Sequence, residues 1–580
     1  MVALGIVNVS IALWLNLWNR DFFNALEKRD TARVLDLVWM LAAIIVSAGV
    51  AVAIQVHVKR RLQINWRAWL SRLTLQRWLN AGRQYQFGLL AAEVDNPDGR
   101  IAEDIRVSAE LAVEFFQSIL QCVLQLITFL GVLWVLSGLL PIRIGSTEFM
   151  LPGYMVWTAV AYALVGSLLS YALGRGLIEA GNVRQGREAD FRSGLTRARE
   201  NAEGIALMHG EADERERLRG SLQNLRDAWH AQTWGQSRLV LLTSSLAYLA
   251  PIVPLIVALP RYLGGDITLG GLMQTAQAFI AVQWALSWLI DNFPRFADWR
   301  AATNRVVQLH VALTDIEDRA EAPDRAHIEV HPAGEADRLL MRELGVARPD
   351  GAMLVGEAEI EIRRPERVLI RGQSGSGKST IMRAVAGVWP WGRGAIYLPR
   401  GDITFMPQKP YFPLGTLRGA MLYPKVPEAV ADEVLKDLLH KVGLDHLRDR
   451  LDDTERWDHV LSGGEQQRIA FARVLIHKPP WIFMDEATSA LDDTGQDNVM
   501  KLLVAELPET SVVSIGHRPG LEAFHTRELS LEPGEEGTTL TARASPRPLV
   551  DIYRRMSAVS RATLTEQGFW AVLRSSLLGR

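Results

Sequence analysis

Six stretches of this chain are long, apolar and almost free of charge: 1–18, 37–58, 111–140, 151–173, 239–263 and 272–290. A hydrocarbon core about 30 Å thick takes about 20 helical residues to cross, so each stretch predicts a membrane-spanning helix. A cleaved signal peptide is the rival reading of 1–18, but neither a basic leader nor a small-residue cleavage site precedes "LWNRDFF". The connections Lys59–Arg106 and Arg175–Arg238 are dense in arginine, whereas the short loops 141–152 and 260–271 hold one each, Arg143 and Arg261. Positive charge stays on the cytoplasmic side, so the long connections and both chain ends are expected inside. The loop "NRDFFNALEKRD" is a mild exception, its Arg20, Lys28 and Arg29 offset by Asp21, Glu27 and Asp30. Within the long connections, "RRLQINWRAWLSRLTLQRWL" and residues 188–234 keep apolar positions at helical spacing. The spans are therefore expected to run on as helices past the bilayer.

The third span is oddly polar. Glu114, Gln117, Gln121 and Gln125 recur every three or four residues and so share one helix face. Polar groups against lipid are costly, so this stripe faces either a wet pathway for a polar solute or a neighbouring helix that hydrogen-bonds it. In the fifth span, Pro251, Pro254 and Pro260 predict kinks or an early end.

Beyond residue 310 the pattern changes. Residues 311–338 are acidic, with Pro323 and Pro332, and read as a linker; 339–545 read as a soluble α/β domain; 546–580 read as one or two short amphipathic helices. The first domain is then 1–310, and the mean hydropathy of +0.06 averages two different kinds of protein. A net charge of -2 gives no reason to expect nucleic acid as a partner. The single cysteine, Cys122, excludes a disulfide framework within one chain and sits in an apolar run as a small hydrophobe.

Candidate chemistry is concentrated in the second half. "RVLIRGQSGSGKSTIMRAVAG" reads as strand, glycine loop and helix start, and G-x-x-x-x-G-K-[ST] falls on Gly372, Gly377, Lys378 and Ser379. Through Gln373, Ser374, Gly375, Ser376 and Thr380 the loop offers backbone N–H groups to phosphate oxygens at a helix N-terminus. Lys378 would meet the β- and γ-phosphates, and Ser379 would give its hydroxyl to Mg²⁺. "WIFMDEATSALDD" is a buried strand ending in two carboxylates: Asp485 as a Mg²⁺ group through water, Glu486 as the base that orients the attacking water. His517 ends the next strand, "VVSIGHRP", within range of a γ-phosphate. Gln408 ends "FMPQKP", its amide aimed at Mg²⁺ or the water.

"LSGGEQQR" opens a second helix on glycines some eighty residues after the first. One phosphate loop already fills one face of a nucleotide. Ser462, Gly463 and Gly464 make sense if they cap the γ-phosphate of ATP held by a second copy of the chain.

Together the glycine loop, Gln408, "LSGGEQQR", "MDEATSALD" and His517 resemble the nucleotide-binding domain of an ATP-binding cassette (ABC) transporter. The six-span bundle in front is similar to an exporter-type half-transporter. The resemblance implies an α-helical six-span domain followed by an α/β P-loop ATPase, with ATP and Mg²⁺ as cofactors. It also implies a homodimer in which Asp492 and Glu465 join the contact across the dimer. Two positions depart from the common pattern. Glu465 stands where many members have glutamine, and Arg348, in "VARPDG", stands where an aromatic usually stacks on adenine; an arginine plane can also stack there.

"NLWNRDFFNALEKRD", "DNPDGRIAEDI", "RARENAEGIALMHGE" and "PYFPLGTLRGAMLYP" narrow the resemblance. They resemble the branch of peroxisomal fatty-acyl transporters and bacterial BacA/SbmA-related peptide transporters. In that branch the segment with Glu200, Glu203 and Glu211 looks like a coupling loop. The branch implies a multi-pass protein of the bacterial inner membrane that imports antimicrobial or cysteine-rich peptides and other bulky hydrophilic solutes. Fatty acyl-CoA, lipid or cobalamin is the alternative cargo. A soluble ABC protein of ribosomes or DNA repair is the reading from another class, and the six spans argue against it.

Overall fold

The computed structural model describes residues 1–90, 96–144, 147–321, 327–332, 337–424, 430–534 and 537–543, so the tail 546–580 lies outside the described residues. The chain divides into two compact units. The first takes the described residues of 1–74 and 96–308; the second takes the described residues of 75–95 and those from 309 to 543.

Helices α1 (Val2–Glu27), α2 (Thr31–Trp78), α3 (Arg83–Leu90), α4 (Pro97–Gly99), α5 (Ile105–Ser137), α6 (Tyr154–Glu200), α7 (Ala202–Leu207), α8 (Glu211–Leu249), α9 (Ile252–Leu263) and α10 (Leu269–Glu321) follow in chain order. Five helical stretches among the described residues are long and apolar enough to cross a membrane: Val2–Glu27, Thr31–Trp78, Pro97–Ser137, Tyr154–Glu200 and Glu211–Leu263. The sixth expected span lies in α10, whose apolar run is thinned by Gln274, Gln277 and Gln283. Two of these glutamines are hydrogen-bonded to α1. Asn16 Nδ2 donates to the Gln274 carbonyl (3.1 Å), Gln274 Nε2 donates to Asn16 Oδ1 (3.1 Å), and Asn19 Nδ2 donates to Gln277 Oε1 (3.1 Å).

α2 has 48 residues and α6 has 47. At 1.5 Å per residue each is about 70 Å long, more than twice a hydrocarbon core, so both continue past the bilayer. The fifth span breaks at the first of its prolines: α8 stops at Leu249, Pro251 caps α9, and Pro254 sits in the first turn, where its missing N–H has no partner to lose, while Pro260 lies inside α9, which runs on to Leu263. The 141–152 loop is more ordered than expected, because residues 139–144 and 147–152 pair as an antiparallel hairpin.

Two boundaries differ from the sequence reading. α10 runs on to Glu321 instead of yielding to a linker at 311, since Leu309, Leu313 and Ile316 keep a buried stripe at helical spacing. Residues 329–331 then pair with 395–397 as a strand. The connection after α2 also folds with the second unit, not the first.

That second unit is built on a ten-stranded sheet. Residues 403–406, 481–485, 511–515 and 367–372 lie side by side in that order, all parallel. "WIFMD" and "SVVSI" are buried at every position, as parallel strands covered on both faces must be. Side chains around Ile381, Trp389 and Phe483 pack one face, and those around Trp457, Phe471 and Met500 pack the other. Parallel strands present their C-terminal ends on one edge, and this edge carries the glycine loop, Gln408, Glu486 and His517.

Candidate functional site: a phosphate loop at the strand ends

The strand Arg367–Gly372 runs into the glycine loop, and the helix Lys378–Val385 starts on Gly377. Gly377 has φ 93°, and a Cβ there would lie 2.7 Å from Val355 Cγ2, so only glycine fits. Lys378 Nζ donates to the Gly372 (2.8 Å) and Gln373 (2.6 Å) carbonyls across the loop mouth. Burial pushes its pKa down, against the pull of Glu486 and Asp485. Ser379 Oγ donates to Asp485 Oδ1 (2.9 Å), which joins the loop to the carboxylate strand. Ser376 and Thr380 are buried, and Ser376 Oγ has no hydrogen-bond partner.

Glu486 takes φ 47°, a turn that lifts its carboxylate off the strand end, and Gln408 Nε2 donates to its Oε2 (2.9 Å). His517 is exposed and lines a cleft of about 640 Å³ with Gly372, Gln373 and Ser374. Ser379–Asp485 and Gln408–Glu486 are thus two hydrogen-bonded pairs on neighbouring carboxylates, with His517 beside the loop.

Gln467 is the residue that sequence reasoning missed. Only 2 % exposed, its amide donates to the Gln408 carbonyl (3.3 Å), the Glu486 carbonyl (3.5 Å) and Ser489 Oγ (3.2 Å), and accepts from the Ala490 N–H (2.9 Å). Its place inside "LSGGEQQR" was the available signal. Arg518 likewise donates to the Thr488 (3.2 Å) and Leu491 carbonyls, bracing the turn after Glu486.

The helix Gly463–His477 opens with a capping box: Glu465 N–H donates to Ser462 Oγ (3.4 Å), and Glu465 Oε2 accepts from Ser462 N–H (2.9 Å) and Oγ–H (2.8 Å). The other carboxylate oxygen meets His446 Nε2 at 2.9 Å. Burial alone would raise the Glu465 pKa, but the Ser462 donors and His446 hold it below the usual carboxylate value. A Cβ on Gly463 would sit 3.3 Å from Ala490 Cβ, and one on Gly464 3.1 Å from Ala490 O, so both glycines back closely onto the "SALD" turn. Asp492 caps the helix Asp493–Glu506 by accepting from Gly495 N–H (3.0 Å).

Arg348 is exposed in a short turn, its carbonyl accepting from Gly351 N–H (2.9 Å). It lines a cavity of about 340 Å³ with Pro349, Met353, Arg393 and, from α3, Gln86 and Leu90. The α3 segment is anchored beside it. Gln86 Nε2 donates to the Val388 carbonyl (3.5 Å), the Arg383 guanidinium lies 5.9 Å from the Tyr85 ring centroid, and Arg77 and Arg83 each meet Glu317 at 2.7 Å.

Along the third span, Glu114 does not stand free: it pairs with Arg295 of α10 and lies 3.7 Å from Lys59 of α2. Gln117 Oε1 and Gln121 Oε1 are buried without a hydrogen-bond partner, and Gln125 is half-buried on the same helix.

Residues 1–263 match the family model "ABC transporter transmembrane region 2", and residues 355–489 match the model "ABC transporter". The inner membrane ABC transporter ATP-binding protein YddA of Escherichia coli is 32% identical over 528 residues, covering 89% of this chain and 90% of that one. ABC transporter D family member 2, chloroplastic, of Arabidopsis thaliana is 28% identical over 605 residues, covering 92% of this chain and 82% of that one. The structure of a bacterial Atm1-family ABC exporter with ATP bound superposes with TM-score 0.70 at 17% identity, over 98% and 97% of the two chains, which establishes a shared fold. With a matching membrane region and a matching ATP-hydrolysing cassette in one polypeptide, this chain belongs to the ABC transporters as an ATP-driven half-transporter.

Proposed function

We propose that two copies of this chain form a transporter in the bacterial inner membrane that uses ATP to import peptides and similar bulky hydrophilic solutes. The observation that carries the polar-cargo reading is the uncharged glutamine face of α5, with buried acceptor oxygens on Gln117 and Gln121 that no group among the described residues satisfies. An acyl chain offers such oxygens nothing.

The cassette chemistry follows from the strand-end set. ATP phosphates lie on the loop Gly372–Thr380 against Lys378, and the base fills the cavity beside Arg348. Ser379, Asp485 and Gln408 supply a hydroxyl, a carboxylate and an amide, the hard oxygen donors Mg²⁺ prefers. Bound there, the ion supplies positive charge to the phosphate oxygens. Glu486, held by Gln408, orients and deprotonates the attacking water, and His517 meets the γ-phosphate. Ser462, Gly463, Gly464 and Glu465, with Asp492, meet the nucleotide of the second copy. Closure of the two cassettes is transmitted through α3 and through α7, whose last residue Leu207 and C-cap Met208 are 75% and 78% exposed.

The test is uptake of a labelled cationic peptide into cells with and without the protein, in wild-type and Glu486→Gln forms. Wild type should accumulate peptide. Glu486→Gln should bind ATP, lose hydrolysis by about 10²-fold or more and lose uptake. ATPase stimulation by acyl-CoA and not by peptide would replace the peptide reading with a lipid one.

A further inference from the structure

α1, α5 and α10 share one seam in the membrane region. A Cβ on Gly5 of α1 would lie 3.4 Å from Leu120 and Leu124 of α5, and the Cys122 thiol of α5 donates to the Ala285 carbonyl of α10 at 3.2 Å. Eleven residues outward on α1 is Asn16, and eleven residues back along α10 is Gln274; these two meet in paired amide hydrogen bonds. The seam therefore has two levels about 16 Å apart at 1.5 Å per helical residue.

Both levels are lined by amides. Gln117 and Gln121 lie near the first, and Asn16, Asn19, Gln274 and Gln277 form the second. At each level acceptors are left over: Gln117 Oε1 and Gln121 Oε1 at one, Asn19 Oδ1 and Gln274 Oε1 at the other, all buried and without a partner among the described residues. Gln274 as a whole is 3% exposed. No Asp, Glu, Lys or Arg occurs in residues 2–19, 115–137 or 269–290. The nearest charge on α5, Glu114, is neutralised by Arg295 and Lys59. At the second level the amide bonds use N–H groups of Asn16, Asn19 and Gln274 and leave C=O groups spare; over the whole seam the unmet buried atoms are these four acceptors against one donor, Trp288 Nε1 of α10, so what it lacks is chiefly donors and not counter-charge.

We propose that this seam is the cargo-binding site and that it recognises the backbone N–H groups of an extended polypeptide, independently of side-chain charge. The proposal rests on the transport reading above and names what that transporter holds. An extended chain advances about 3.3 Å per residue, so about five residues span the two levels, and shorter peptides reach only one.

The test uses the full chain in proteoliposomes, in a Cys122→Ser background that keeps a donor toward Ala285. Single cysteines are introduced as Q121C and Q277C and reacted with a water-soluble maleimide. Three probes are added in turn: an uncharged glycine/serine decapeptide, its backbone N-methylated twin, and palmitoyl-CoA. Both cysteines should react in at least one nucleotide state, and the decapeptide should slow both reactions about tenfold, while the twin and palmitoyl-CoA leave them unchanged. Equal protection by the twin would overturn donor recognition and leave peptide transport standing. Protection by palmitoyl-CoA alone would overturn this inference and the peptide reading together. Cysteines that never react, or that no peptide protects, would make the seam dry packing and overturn the site, while ATP-driven uptake is judged separately by the Glu486→Gln comparison.

Discussion

Gln467 shows how much of the catalytic edge hangs on one uncharged side chain. It touches no expected phosphate position, yet it bonds the backbone after Gln408, the carbonyl of Glu486 and the turn at Ser489–Ala490. Gln467→Leu keeps the volume and strands those partners, at about 1–3 kcal/mol. Because it positions the water-orienting pair and not the nucleotide, kcat should fall about tenfold with little change in the KM for ATP; a change in KM alone would remove it from this role. A second residue-scale prediction concerns pH. His525 is fully buried between the Leu521 carbonyl and Ser514 Oγ, each 2.7 Å from a ring nitrogen, and burial lowers its pKa from 6.5 to about 4. The unfolded chain therefore binds this proton first. His525 contributes full stability above about pH 6.5, and the contribution is lost as pH falls toward 4, in all about 3 kcal/mol. Melting temperatures across that window should fall in the wild type, and less steeply in His525→Gln.

At the scale of elements, the segment after α2 shows what periodicity conveys and what it leaves out. Residues 59–78 carry a helical pattern, and the helix is there, but no pattern says that residues 75–90 fold with the ATPase unit. Partner choice is set by contacts such as Arg83 to Glu317, 234 positions apart. Asn16 and Gln274 were equally hidden, being 258 apart, and Gln467 was marked by nothing except its place in "LSGGEQQR". The glycine loop and the strand-end carboxylates were legible because their chemistry is local: positive φ needs glycine, and a buried parallel strand needs a continuous apolar run. α3 yields a prediction of its own. Gly82, which leads into it, has φ 72°, and a Cβ there would lie 2.7 Å from Val388 Cγ1. Gly82→Ala combines left-handed strain with that overlap and should weaken the seat of α3 on the cassette. Basal ATPase should persist while its stimulation by cargo and net uptake both fall; uptake that fell only in proportion to ATPase would mean α3 does not couple them.

At the scale of the whole molecule, the question is why one chain builds two glycine-opened helix starts. The cleft beside the first is lined by Gly372, Gln373, Ser374, His517 and residues 530–533, and none of Ser462–Glu465 borders it. Instead, Ser462 is engaged by Glu465, and Glu465 by His446. This second helix start is fully formed yet takes no part in the cleft of its own chain, as expected if a second copy's γ-phosphate is what it meets. A mixing experiment separates shared from private sites. Lys378→Ala disables a phosphate loop; Gly463→Asp puts a negative charge in the first turn, where an anion is otherwise welcome. Each homodimer should be inactive. In a mixed dimer with shared sites, one site collects both lesions and the other collects none. Random pairing makes half the dimers mixed, each with one working site of two, so activity should recover to about a quarter of wild type when the sites fire independently. If each chain used its own signature helix, every site in the mixture would carry one lesion and mixing would restore nothing.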